Sequence, residues 1–205
     1  MDDSSGWATH PVTAKRFDDF ADVINTNRRD THCWCLSHRL HAREIDELGD
    51  GSRECAALAL ARDANSFGVV TYRADIPVGW CHIAPRAEIS RLAASKLIRP
   101  LDDLTVWSII CIVVRSGHRK QGVTEQLIEG AVAYAAAQGA PAVETYPVDP
   151  QGRMDLTMAF VGTRSMFERC GFTVVGETDA VASRMPRLIM RRMLGEPSPL
   201  PRAGS

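Results

Sequence analysis

The run from Val106 to Gly139 constrains this chain most, because it joins an apolar strand, a basic glycine loop and a helix without a gap. Val106-Trp107-Ser108-Ile109-Ile110-Cys111-Ile112-Val113-Val114 is almost continuously apolar and rich in β-branched residues, the pattern of a strand buried on both faces of a sheet. Arg115-Ser116-Gly117-His118-Arg119-Lys120-Gln121-Gly122 leads out of it, and Leu127, Ile128, Ala131 and Val132 then recur at helical spacing. Unpaired N–H groups at a helix start carry partial positive charge, and Gly122 lets a ligand approach the backbone closely. With Arg115, Arg119 and Lys120 beside it, this turn is suited to phosphate oxygens. Ala142-Val143-Glu144-Thr145-Tyr146 follows as a second strand, which makes a right-handed βαβ unit.

The loop is neither a P-loop, since no Gly-Lys-Ser/Thr triplet follows, nor a Rossmann fingerprint, since the first two glycines are missing. Arg119-Lys120-Gln121-Gly122-Val123-Thr124 instead resembles the Arg/Gln-x-x-Gly-x-Gly/Ala signature of the GNAT acetyltransferases, with Thr124 departing at the sixth position. Ser165-Met166-Phe167-Glu168-Arg169-Cys170-Gly171-Phe172 resembles the second signature of that family, a helix ending in Gly-Phe. The resemblance covers roughly residues 67–193. It implies an α/β (α+β) GNAT acyl-CoA N-acyltransferase fold, with a central mixed, mostly antiparallel sheet of six to seven strands flanked by helices. On this reading residues 1–194 form one domain and 195–205 a disordered tail.

A chain of 205 residues, 45% hydrophobic, can bury a sizeable core as one unit. Its 24 Lys and Arg against 25 Asp and Glu leave a formal net charge of −1, so no global field recruits nucleic acid or an anionic membrane. No apolar run approaches a bilayer-spanning length and the first residues are acidic, which points to a cytoplasmic protein. Six cysteines, several inside apolar strands or helices, fit buried thiols of a reducing compartment rather than a disulfide framework.

Taken in order, Trp7 to Val12 reads as an edge strand and Ala14 to Ile24 as a helix capped by Thr13, with Phe17, Phe20, Ala21 and Ile24 on one face. His32 to His41 holds the densest set of potential metal ligands. The Cys33-x-Cys35 spacing is tighter than zinc sites use and no second pair follows nearby, so no metal is expected. Two readings stay open: packed core around Cys33, Trp34 and Cys35 beside an exposed basic helix, or, by the resemblance, an acceptor-cleft wall carrying Trp34 and Arg39. Ser52 to Ala61 reads as a helix, and Phe67 to Tyr72 with Val78 to Ile83 as a hairpin. Ala87 to Leu104 is an insertion with a helix at Ile89 to Leu97, either a cover for an acceptor cleft or a surface decoration. Pro147 to about Gly162 reads as irregular. Phe172 to Val175 and Leu188 to Met193 read as a closing hairpin.

The resemblance implies acetyl-CoA as donor and an amine acceptor, a small molecule or a protein, with direct transfer in a ternary complex. Longer acyl donors and a homodimer stay open. Residues 119–124, namely Arg119, Lys120, Gln121, Gly122, Val123 and Thr124, would hold the pyrophosphate, and the backbone of Ile112, Val113 and Val114 would bond the pantetheine arm. An alkylammonium acceptor, of pKa about 10, must lose a proton before it attacks. The glutamate that family members carry on the central strand falls here at about Ser108, which is kept as a substrate-side residue, and the acid tyrosine of the second signature falls at Phe167. Tyr146, then Asp149, then Glu144 are therefore the acid–base candidates, because Tyr146 and Glu144 alternate onto one face of their strand and Asp149 follows at its mouth. The missing groups also motivate a reading of another class, a catalytically weak acyl-CoA-binding sensor or interaction module.

Overall fold

The computed structural model describes residues 6–27, 29, 33–49, 52–62, 67–150, 162–182 and 184–195. In chain order the elements are β1 (Trp7–Pro11), a 3-10 turn (Ala14–Arg16) running into α1 (Phe17–Ile24), α2 (Ala42–Gly49), α3 (Arg53–Arg62), β2 (Val69–Arg73) and β3 (Ile76–Pro85). A second 3-10 turn (Arg86–Glu88) leads to α4 (Ser90–Ala93), followed by β4 (Trp107–Val114), α5 (Val123–Ala137), β5 (Ala142–Thr145), α6 (Arg164–Arg169), β6 (Thr173–Ala182) and β7 (Met185–Met193). The strands form one seven-stranded sheet in the order β1-β2-β3-β4-β5-β7-β6. Among the described strands only the β4–β5 pair is parallel; the rest are antiparallel. This is the mixed, mostly antiparallel sheet the sequence implies.

Two features of β4 shape the middle of the sheet. Its register against β3 shifts from His82↔Cys111 to Ile83↔Ile109, so Ile110 is an extra, bulged residue. Its pairing with β5 covers only Trp107↔Val143, Ser108↔Glu144 and Ile109↔Thr145. Beyond Ile109 the two strands part. Past the end of β5 the chain stays beside β7, where Pro147 O accepts the Leu188 N–H at 2.9 Å.

The sheet carries separate apolar clusters. On one face Val123, Leu127, Ile128, Ala131, Val132 and Ala135 of α5 pack on Val78, Cys81, Ile83, Trp107 and Ile109. The helix sits close to the sheet at Gly79, where a Cβ would lie 2.6 Å from Leu127 Cδ1, so the missing side chain is a packing requirement. On the other face α1 and α3 cover β2 and β3 through Phe17, Phe20, Ala56 and Ala57 against Phe67, Val70 and Trp80. A third cluster, including Ile89, Leu92, Ile98, Ile110 and Tyr146, lies beneath the insertion that follows β3.

Several expectations change. The segment Cys33–Leu40 is a series of turns rather than a basic helix, with Trp34 and Cys35 both at positive φ, 50° and 53°. Such backbone costs of order 1–3 kcal/mol per residue. Packing holds it there: Trp34 stacks on Phe17 at 5.7 Å, and the Cys111 and Cys35 sulfurs lie 3.7 Å apart as free thiols. Helix α2 was not expected, because Ile45 and Leu48 alone give too thin a period; its start is fixed by Glu44, whose carboxylate accepts the His41 N–H at 2.7 Å. The insertion helix is one turn, Ser90–Ala93, not Ile89 to Leu97. The closing hairpin is longer than expected, because register shifts in β6 and exposed Val174, Val175 and Val181 hide its alternation. His32, residues 151–161 of the irregular segment, and the expected tail, Gly195 excepted, lie outside the described residues.

Leu127 is fully buried in the α5 cluster. Leu127→Ala is expected to lower the unfolding free energy by about 2–5 kcal/mol, read from the midpoint of a urea titration.

Candidate active site

The loop between β4 and α5 is curled by residues in the left-handed region: Gly117 at φ 87°, Lys120 at 61° and Gly122 at 80°. Alternation of this kind turns successive N–H groups toward one side, the geometry of an anion-binding concavity. Among the described residues, none accepts a hydrogen bond from the N–H of Arg119, Lys120, Gln121, Gly122, Val123 or Thr124. Gly122 is the N-cap of the 15-residue helix α5 and supplies no side-chain cap; a Cβ built on it would meet nothing within 4 Å. The space over the helix start is therefore open. Gln121 braces the loop rather than facing that space: its Nε2 donates to Gly117 O at 3.0 Å, and its Oε1 accepts from Arg73 at 2.9 Å. Arg119 and Lys120 are exposed.

From this loop β4 leads back to the bulge at Ile110, about 13 Å away at the rise of a strand. Ile112, Val113 and Val114 are half-buried, and among the described residues the edge of β4 turned from β3 has no strand partner along them. At the bulge, on the face away from α5, a cavity of about 210 Å³ opens. Its wall includes His38 from the turns after α1, Arg91 and Ser95 from the insertion, Ile110 and Tyr146 from the two sides of the strand parting, and Arg187 from β7.

The insertion is bound down rather than loose. Arg91 N donates to Arg39 O at 3.1 Å, and the Ser90 hydroxyl lies 2.6 Å from Glu44 Oε2. Arg86 Nη2 donates to Ile98 O at 2.7 Å. Arg191 forks onto Asp102, with bonds of 2.6 and 2.9 Å, while its other edge meets Glu144 Oε1 at 2.9 and 2.6 Å. The insertion thus forms part of the cavity wall.

The three acid–base candidates stand differently. Tyr146 is 1% exposed; its hydroxyl donates to Glu144 Oε2 at 3.0 Å and lies 3.2 Å from Ser108 Oγ. Burial, with the Glu144 charge second, pushes its pKa up to about 12, so it is protonated at neutral pH. Glu144 is buried, with Oε1 committed to Arg191 and Oε2 to Tyr146. Asp149 is not among the residues that line the cavity and is paired with Arg164 at 3.2 Å. Phe167 packs edge-on against Phe172 in the core.

Of the residues assigned to the acceptor side, Ser108 meets Tyr146 beneath the cavity. Trp34 is core behind Phe17, and Arg39 is buried with Nη1 3.0 Å from His82 Nε2, its guanidinium 5.9 Å from the Phe67 ring centre. Neither lines the cavity, which fits the packed-core reading of Trp34 and Cys35. The wall residues that the sequence did not single out are His38, Arg91 and Arg187. His38 lies inside the segment flagged for its chemistry, but a chain of turns has no periodicity from which its direction could be read. Partial desolvation, then the Arg187 and Arg91 charges, lowers the His38 pKa. Among the described residues no group of His, Cys, Asp or Glu side chains is arranged to hold a metal ion, and no helix is long and apolar enough to cross a membrane.

Comparison with known proteins adds to this geometry. Among curated protein sequences none matches the chain significantly. Solved structures share its fold: a GNAT-family acetyltransferase from Streptococcus agalactiae superposes with a TM-score of 0.54 at 11% identity, covering 93% of this chain and 97% of that one. A GNAT-family acetyltransferase from Streptococcus pneumoniae gives 0.52 at 14%, covering 92% and 99%. The aminoglycoside acetyltransferase AAC(6')-Ib in complex with coenzyme A gives 0.52 at 13%, covering 91% and 94%. The family model described as Acetyltransferase (GNAT) family matches residues 28–172, which span the anion loop, the parted strands and the Gly-Phe helix end, and the chain belongs to that family.

Proposed function

We propose that the protein is an acetyl-CoA-dependent N-acetyltransferase that moves an acetyl group directly to an amine within a ternary complex. The observation that carries this reading is the continuity of three features along β4: an open anion loop, an unpaired strand edge, and a cavity at the bulge. Bound donor supplies an acyl thioester, which an uncharged amine can attack. The N–H groups of Arg119, Lys120, Gln121, Gly122, Val123 and Thr124, helped by the two exposed cations, would hold its pyrophosphate. The free edge of Ile112, Val113 and Val114 would bond the amide-bearing arm as a strand would. An N–H at the bulge would polarise the carbonyl, the place where negative charge develops.

Tyr146 is assigned as the hydrogen-bond donor to the departing sulfur, since its raised pKa keeps the proton on it until the C–S bond breaks. Glu144 Oε2, 3.0 Å from that hydroxyl, is placed to return the proton the attacking amine loses. Asp149, which follows β5 and is paired with Arg164, would be the second acceptor for that proton. Ser108 orients Tyr146, while Trp34 and Arg39 support the acceptor wall from behind, Arg39 through the carbonyl that takes the Arg91 N–H.

Acetyl-CoA at a hundredfold above its Kd is expected to raise the melting temperature by about 5–10 °C. In Gly122→Glu, which places bulk and negative charge over the helix start, that ligand-induced rise should vanish. The comparison is made with and without ligand in each protein, because a left-handed glutamate destabilises the fold by itself. An undiminished rise would remove the loop from the donor site.

Tyr146→Phe is expected to lower kcat by about two orders of magnitude with acetyl-CoA affinity changed by no more than a few-fold. A kcat close to that of the unaltered protein would take the acid role from Tyr146 and pass it to Asp149 or a water chain. Donor binding with no acceptor-dependent thiol release, across a broad panel of amines, would favour a sensor instead.

A further inference from the structure

The cavity at the bulge has an unbalanced charge. Its wall carries Arg91, Arg187 and His38, and among the described residues no aspartate or glutamate lines it. Arg187 is half-buried; its Nε donates to Tyr146 O at 2.7 Å, a neutral acceptor, and among the described residues no carboxylate pairs with the rest of its guanidinium. Its pKa is lowered by burial, the mark of a cation held out of water without a counter-ion. Arg91 also lacks an ion pair among the described residues. Arg191 on the same strand, 9% exposed, is by contrast bonded to two carboxylates. A desolvated, unmatched guanidinium is costly to keep unless something matches it.

Resting on the reading of this cavity as the acceptor site, we propose that the acceptor is a small amine bearing an anionic oxygen group, a carboxylate or a phosphate, which Arg187 and Arg91 bind while the amine lies toward Ile110. A guanidinium fork matches either group in two parallel hydrogen bonds. The Tyr146 carbonyl holds Arg187 Nε, and Arg187 lines the cavity with no acceptor for its terminal nitrogens among the described residues. At about 210 Å³ the space is smaller than the ~300–1,000 Å³ of sites for drug-sized ligands, which suits a small acceptor. The same charges disfavour polyamines, whose second ammonium would meet the two arginines. His38, exposed at its outer side, belongs to the same wall.

The test uses the full chain and matched probes: β-alanine, its carboxamide, O-phosphoethanolamine and 1,4-diaminobutane. Binding is read by calorimetry with and without CoA, and turnover by thiol release from acetyl-CoA. An anionic probe, β-alanine or O-phosphoethanolamine, is expected to bind and react about 100-fold better than the carboxamide or the diamine, and whichever of the two leads identifies the anion. Arg187→Gln and the exposed Arg91→Gln should each reduce that preference at least tenfold through KM, with acetyl-CoA affinity unchanged. Anionic probes that do no better than the carboxamide or diamine, in binding and in turnover, overturn the proposal. So does an arginine substitution that weakens all probes equally. Anion binding that persists in a protein unable to bind CoA would retain the cationic cavity and remove the donor reading, so the two failures are distinguishable.

Discussion

Two parallel strands that pair for three residues and then separate are what the rest of this molecule depends on. A sheet interior normally satisfies every backbone N–H and C=O, and an unpaired edge in the middle of a sheet is a standing demand for a partner. The bulge at Ile110 turns β4 so that Ile112 and Val114 return to the α5 face while Ile110 and Cys111 meet the other clusters. The separation also lets side chains of both strands, Ile110 and Tyr146, reach the same cavity.

Behind the parting lies a buried polar chain, Ser108, Tyr146, Glu144 and Arg191, which ends at the exposed Asp102. A buried ion pair is weak support for stability by itself, because desolvating both charges offsets most of their attraction. Its value here is positional. Arg191 on β7 holds Glu144 on β5 with one edge and the insertion loop with the other, so the wall of the cavity and the candidate acid are fixed to the same guanidinium.

The β4–α5–β5 core is legible in sequence because each part has its own signal: an unbroken β-branched run, a glycine loop and a helical period. Leu127, Ile128, Ala131 and Val132 are buried where the period places them. The parting of the strands is less visible, since a bulge adds a residue without changing composition; Ile110 looks like any other member of its run. The cavity wall is the least legible part. His38, Arg91 and Arg187 come from a chain of turns, a one-turn helix and an irregular hairpin, and only tertiary contacts bring them together. Trp34 and Arg39, more conspicuous by type, turn away into the core, held by Phe17 and by His82.

The wall has a further property. Its two main pieces, the turns after α1 and the insertion after β3, are joined by main-chain and short side-chain bonds, Arg91 N to Arg39 O and Ser90 to Glu44, none of which involves a residue of the anion loop. The surface that would choose an acceptor is therefore mechanically independent of the surface that would hold a donor. Substitutions can accumulate in one without disturbing the register of the other, so a lineage could exchange its acceptor many times while retaining the same strand, loop and helix.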